Sequence, residues 1–241
     1  MKRIIGNWKM HKTVQETVHF LEHVLQRLSP EEVYLAVPFT AIKEAAAFGI
    51  HVGAQNVSHE PEGPFTGEIS GRMLKDVGAD FVLIGHSERR HIFQETDDMV
   101  HSKLLRAHQV GLKPILCVGE REGEDREAVL KRQLEHALKN CDEELALRLT
   151  IAYEPVWAIG TGKTATPEEA ARAHAFCRNM IGSLFNKEIA AQIPLLYGGS
   201  VKSDNIVALL HQTEIQGALV GGASLDPKEF VKLVELSKSV V

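Results

Sequence analysis

Three side chains in this sequence, Glu154, His86 and Lys9, have the chemistry to move a proton and steady the charge it leaves behind. Glu154 closes the apolar run over residues 149–153, and the loop after it holds Val156, Trp157, Ala158 and Ile159 ahead of Gly160 and Gly162. That layout reads as a base beneath a hinged lid, because a carboxylate at a strand end gains basicity once apolar groups cover it and expel water. His86 stands in Gly85-His86-Ser87-Glu88-Arg89-Arg90, where Gly85 permits a tight turn and Ser87-Glu88 suits a helical first turn. The partial positive charge of a helix N-terminus disfavours imidazolium, so the ring would stay neutral and donate a hydrogen bond as an electrophile. In Asn7-Trp8-Lys9-Met10, strand alternation sends Asn7 and Lys9 to one side, where together they could hold an anionic oxygen. Taken alone, a turn asparagine and a surface lysine would look the same.

Other strand ends add less reactive groups. Cys117 reads as packing near the site, since a thiol is nucleophilic only where a neighbour lowers its pKa. Gly198-Gly199 precedes Ser200, and Gly221-Gly222 follows Leu219-Val220. Paired glycines leave backbone amides free to approach an anion, and the last two strands of a barrel are where phosphate is often bound. Gly160 and Gly162 bracket Thr161, giving hinge freedom and one more amide donor, while Lys163 reads as a surface charge at the hinge.

These residues need a frame that gathers strand ends. Eight short apolar runs recur, over residues 4–5, 33–37, 51–54, 81–84, 114–118, 149–153, 194–197 and 218–220. They are continuous rather than alternating, as expected for parallel strands buried on both faces. Helical stretches separate most of them: residues 13–28 carry Val14, Val18, Leu21, Val24, Leu25 and Leu28 as one stripe. Thr166-Pro167-Glu168-Glu169 is an N-cap, a first-turn proline and a returning glutamate, and Asp226-Pro227-Lys228-Glu229 repeats it. Strand and helix alternating at roughly 30 residues per unit predict an α/β fold, a closed (β/α)8 barrel of eight parallel strands in a ring of helices. An open doubly wound sheet is the alternative, made weaker because Ile5-Gly6-Asn7-Trp8-Lys9 stands where a dinucleotide fingerprint would.

The chain of 241 residues, 44% apolar, suits one barrel domain over residues 1–241 without a long linker. A formal charge of −5 with scattered Lys and Arg gives no nucleic acid surface. Cys117, Cys141 and Cys177 are odd in number and widely spaced, fitting neither a disulfide framework nor a zinc site, so a reducing cytoplasm is expected. The opening residues turn polar too soon for a signal peptide, and no apolar run approaches the length of a membrane span.

With these motifs in place, the sequence resembles the triosephosphate isomerase family from end to end. The resemblance is carried by Asn7-Trp8-Lys9-Met10, Gly85-His86-Ser87-Glu88-Arg89-Arg90, the run from Ala152-Tyr153-Glu154-Pro155 through Gly160-Thr161-Gly162, Tyr197-Gly198-Gly199-Ser200 and Val220-Gly221-Gly222-Ala223-Ser224-Leu225. It implies interconversion of dihydroxyacetone phosphate and D-glyceraldehyde 3-phosphate through an enediolate, without metal or organic cofactor. By position, Glu154 resembles the base, His86 the electrophile, Lys9 and Asn7 the groups holding the substrate oxygens, and Glu88 the carboxylate that positions Lys9. Phosphate would rest on the amides of Gly160, Ser200, Gly221 and Gly222 with help from the Ser200 hydroxyl, and Ile159 and Leu219 resemble the apolar clamp over Glu154.

The resemblance also implies a homodimer. Residues 54–68 are similar to the family's interlocking loop, with Phe65, Thr66 and Gly67 at its tip and Thr66 reaching the neighbour's site near Asn7 and Lys9. Pro64 departs from the small residue often found there, and residues 119–127 look like a shortened, solvated turn. Two rivals are another phosphate-binding barrel such as a sugar-phosphate epimerase, and a non-catalytic barrel scaffold; neither requires Lys9, His86 and Glu154 together with this lid.

Overall fold

The structure, a computed structural model, describes residues 2–159 and 163–240. Eight strands, β1 (Arg3–Asn7), β2 (Tyr34–Val37), β3 (His51–Ala54), β4 (Phe81–Ile84), β5 (Lys113–Val118), β6 (Thr150–Tyr153), β7 (Leu195–Tyr197) and β8 (Gly217–Val220), close into a barrel in sequence order. Every neighbouring pair is parallel, including β8 with β1. This is the closed (β/α)8 barrel that the alternation predicts, and it excludes the open sheet because no strand edge is left.

Two layers of side chains explain why the strands read as continuous apolar runs. Ile5, Phe81, Leu83, Ile115, Cys117 and Leu219 are among those that fill the barrel interior, while Ile4, Val52, Val82, Leu116 and Ile151 face outward under the helices. Both faces are therefore dry.

The helical signals hold at their starts and are shorter at one end. Thr13 caps the helix Val14–Val24 through a reciprocal box with Glu16. The helix stops at Val24 rather than running to Leu28, because Pro30 forces Ser29 into an extended conformation and the chain must leave the helix before it. Thr166 and Glu169 form the expected box at the start of the helix Pro167–Leu184. Asp226 accepts the Glu229 amide at the start of Pro227–Lys238, but the Glu229 side chain does not return to complete the box.

Two connections differ from the rest. Between β3 and β4 a loop is closed at its base by the Ser58 amide donating to Ile69 O (2.9 Å), and residues 61–68 are all exposed. After β5, the solvated turn expected over residues 119–127 begins with a buried group: Glu120 is only 4% exposed, and solvent is met at Arg121. Among the described residues no helix is long and apolar enough to cross a membrane.

Candidate active site

Glu154 leaves β6 still laddered to β5, its amide donating to Val118 O at 2.7 Å, and its side chain is buried at the C-terminal mouth of the barrel. Oε2 accepts the Ser87 amide at 3.0 Å, and Oε1 lies 3.1 Å from His86 Nε2. Gly198 makes room for it, since a Cβ there would stand 2.7 Å from Glu154 Cγ. The turn that delivers His86 depends on Gly85, whose φ of 71° lies in the left-handed region. His86 is then the N-cap of the short helix Ser87–His91, and its Nδ1 accepts the Glu88 amide at 3.2 Å. With that lone pair occupied, the neutral ring carries its proton on Nε2, aimed at Glu154.

Lys9 reaches the same place by a different route from strand alternation. β1 ends at Asn7, and Lys9 takes a φ of 53°, a strained conformation for a residue with a Cβ. Asn7 Oδ1 accepts the Lys9 amide at 3.0 Å, and between them Trp8 is fully buried with Nε1 donating to Ser224 O at 3.1 Å. Lys9 Nζ sits 2.6 Å from Glu88 Oε1.

The electrostatics differ from a base activated by burial alone. Burial pushes the Glu154 carboxyl up, but the His86 ring, the Ser87 amide and the Lys9 ammonium outweigh it, so its pKa lies below the usual carboxylate value. Burial likewise works against a charged His86, yet the Glu154 carboxylate, seconded by Glu88, raises the ring's pKa. In this geometry Glu154 is therefore an anion with its lone pairs engaged. Its basicity rises only when it gives up these partners. The same movement would withdraw the larger of the two contributions that raise the His86 pKa, leaving burial and the Lys9 ammonium to oppose Glu88.

Asn7, Lys9, His86 and Glu154 border a cavity of about 660 Å³. Ser200, Gly221 and Gly222 line it as well, Gly221 beside the Lys9 side chain, and Ile159 and Leu219 contribute apolar wall. Gly160, expected as a further amide donor, falls outside the described residues. Glu88 lies outside this cavity and acts on it through Lys9. Cys117 is enclosed in the barrel interior, where burial pushes its thiol well above the usual value. Phe65, Thr66 and Gly67 are exposed on the β3–β4 loop, apart from these groups within one chain.

Three contributors were not legible as such from sequence. Ser87 acts through its main-chain amide, Gly198 through the space it leaves, and Glu120 through contacts across the fold. Glu120 Oε1 accepts from Trp157 Nε1 at 2.9 Å and from the Tyr153 hydroxyl at 3.0 Å, anchoring the 3-10 turn Val156–Ala158 at the start of the loop after β6. The clue was available: Glu120 follows β5 much as Glu154 follows β6. At the far end, the Ala165 amide donates to the Tyr197 hydroxyl at 3.3 Å, and the exposed Lys163 pairs with Glu122 at 2.8 Å.

A (β/α)8 barrel with a carboxylate, an imidazole and an ammonium converging at its C-terminal mouth is of the class equipped for acid–base chemistry on a small anionic molecule. Comparison with known proteins narrows this to one family. The sequence matches the family described as Triosephosphate isomerase over residues 2–237. Proteins named triosephosphate isomerase from Protochlamydia amoebophila, Solibacter usitatus and Aquifex aeolicus are 45%, 48% and 46% identical to it. The alignments cover 98%, 95% and 97% of this chain and 94%, 96% and 99% of theirs. The chain belongs to the triosephosphate isomerase family.

Proposed function

We propose that this chain, as one barrel domain over residues 1–241, interconverts dihydroxyacetone phosphate and D-glyceraldehyde 3-phosphate, the aldose–ketose isomerisation of glycolysis and gluconeogenesis. The observation that carries the reading is the His86–Glu154 pair: an Nε2–H donor and a carboxylate 3.1 Å apart, facing one cavity, with the other ring nitrogen already satisfied. A substrate carbonyl oxygen that takes over the Nε2–H frees the carboxylate to act on the adjacent carbon.

In this mechanism Glu154 removes a proton from the carbon next to the carbonyl, and the C–H electron pair becomes the enediolate double bond while the carbonyl electrons move to oxygen. His86 donates to that oxygen and moves the proton between the two oxygens. Glu154 then returns its proton to the neighbouring carbon, so nothing is consumed. Lys9 and Asn7 stabilise the developing oxyanion, and Glu88 positions Lys9. Giving up a charge-assisted hydrogen bond costs roughly 1.5–3 kcal/mol, and substrate contacts must offset it.

Phosphate is assigned to the amides of Gly160, Ser200, Gly221 and Gly222, fixed donors suited to a dianion. Closure of the lid brings Ile159 over the carboxylate opposite Leu219, which expels water and retains the enediolate.

The proposal extends to a homodimer acting in the cytoplasm. A groove bordered by Lys9, Phe39, Asn56, Glu88 and Phe93 opens beside the cavity, and Met10, Ile92 and Phe93 are 93%, 68% and 62% exposed. Such apolar exposure fits a covered surface, and the Phe65, Thr66 and Gly67 tip of a second copy is the proposed occupant. The test is direct: purified protein, with no metal added, should interconvert the two triose phosphates, and absence of turnover would remove the assignment.

A further inference from the structure

The turn after β7 is held by side chains from two helix starts, one an N-cap residue that makes no cap and one a first-turn glutamate that does not complete its capping box. Asn205 occupies the N-cap position of the helix Ile206–Leu210, yet its side chain makes no capping hydrogen bond there. Asparagine at an N-cap ordinarily accepts an amide from the first turn. Here the side chain points backward: Oδ1 accepts the Lys202 amide at 2.9 Å, and Nδ2 donates to the Ser200 carbonyl at 3.1 Å. One side chain thus spans the turn as both acceptor and donor.

Glu229 behaves in the same way from another helix. Asp226 accepts its amide at 2.9 Å, so a reciprocal box needs only the return of the carboxylate to the Asp226 amide. Instead Glu229 Oε1 accepts the Ser203 amide at 2.9 Å. The diversion is not a property of the motif, because Glu169, in the matching Thr-Pro-Glu-Glu segment, does return to the Thr166 amide at 2.9 Å. Both diverted side chains converge on residues 200–203.

We propose that Asn205 and Glu229 are positioning residues for the phosphate end of the cavity: with their side chains turned away from their own helix starts, they fix the turn that aims the Ser200 amide. The proposal rests on the reading that phosphate is held at Ser200, Gly221 and Gly222. An amide donor stabilises a dianion most when its direction is set before the ligand arrives, and Ser200 stands at the free end of a loop between β7 and a five-residue helix. Hydrogen bonds at the Ser200 carbonyl, the Lys202 amide and the Ser203 amide remove that freedom from both sides of the turn. Neither residue touches the reacting carbons, so the effect belongs to phosphate affinity and not to proton transfer.

The experiment compares Asn205→Ala, Glu229→Ala and Glu229→Gln with the unmodified enzyme. Readouts are KM and kcat for triose phosphate, the inhibition constant of inorganic phosphate, and turnover of glyceraldehyde, which lacks the phosphate. Asn205→Ala and Glu229→Ala should raise KM and the phosphate inhibition constant about tenfold, the size expected for one or two lost hydrogen bonds. Glyceraldehyde turnover should change less than twofold. Glu229→Gln, which keeps an acceptor for the Ser203 amide, should restore phosphate affinity to within twofold. Phosphate affinity within twofold of the unmodified enzyme in both alanine variants overturns the proposal, as does an equal loss of glyceraldehyde turnover. Should Asn205→Ala fail to fold, the contrast between Glu229→Ala and Glu229→Gln decides. Failure of the underlying reading looks different: the Ser200 amide resonance of the unmodified enzyme would then not move when inorganic phosphate is added.

Discussion

At the scale of single residues, the site is built as much from what is missing as from what is present. Gly198 has no Cβ, and the Glu154 side chain occupies the space one would take. Gly198→Ala should push the carboxylate aside and lower kcat by about 100-fold, the order of loss that a 1 Å misplacement produces, with KM changed much less. Steady-state kinetics measure this, and a variant within threefold of the unmodified kcat would show that the carboxylate has room to spare. The groups proposed to react were legible in part. Glu154 and His86 stand out because side-chain chemistry at a strand end is a local property of sequence, whereas Asn7 and Lys9 alone could as well be a turn asparagine and a surface lysine, and the role proposed for Ser200 comes from the family resemblance. The Ser87 amide was not, because any residue in its place would offer one; only the fold points it at Glu154. The direction of the Glu154 pKa was likewise hidden. Sequence suggested a carboxylate strengthened by burial, whereas the surrounding donors hold it below the usual value. A count of apolar neighbours says nothing about three polar partners brought in from β1 and β4.

At the scale of elements, strand positions were visible because each is a short apolar run, and helix starts because caps are local. Helix ends and cross-element contacts were not. Glu229 illustrates this: its motif reads as a complete capping box, and the turn that draws its carboxylate away lies outside its own helix. The helix Pro167–Leu184 carries a further hidden group, His174, fully buried with Nδ1 donating to Glu214 O at 3.0 Å. Burial lowers its pKa to about 4. Between pH 6.5 and 4 the unfolded chain binds this proton and the folded one does not, so stability falls as pH drops through that window and levels off below it. The full effect is roughly 3 kcal/mol. Urea titrations from pH 7 to 4.5, at constant protein concentration, should show the decline, and His174→Gln should flatten it. Equal slopes in both proteins would assign the decline to other groups.

At the scale of the whole molecule, the barrel gathers five separated segments at one mouth, and no segment alone contains a site. The homodimer is proposed from the family resemblance, and the long exposed β3–β4 loop with the exposed Met10, Ile92 and Phe93 fits it. Phe93→Asp should shift the protein from dimer to monomer in light scattering and lower specific activity on dilution; a stable dimer with full activity would place the interface elsewhere. The central claim remains that Glu154 carries the proton between two carbons. Its most direct test follows deuterium from D2O into the triose phosphates for the unmodified enzyme and Glu154→Gln, together with the inhibition constant of inorganic phosphate. The account predicts that exchange and isomerisation both fall by about 10² to 10⁴ while phosphate affinity stays within a few fold. Exchange at near the unmodified rate would contradict it.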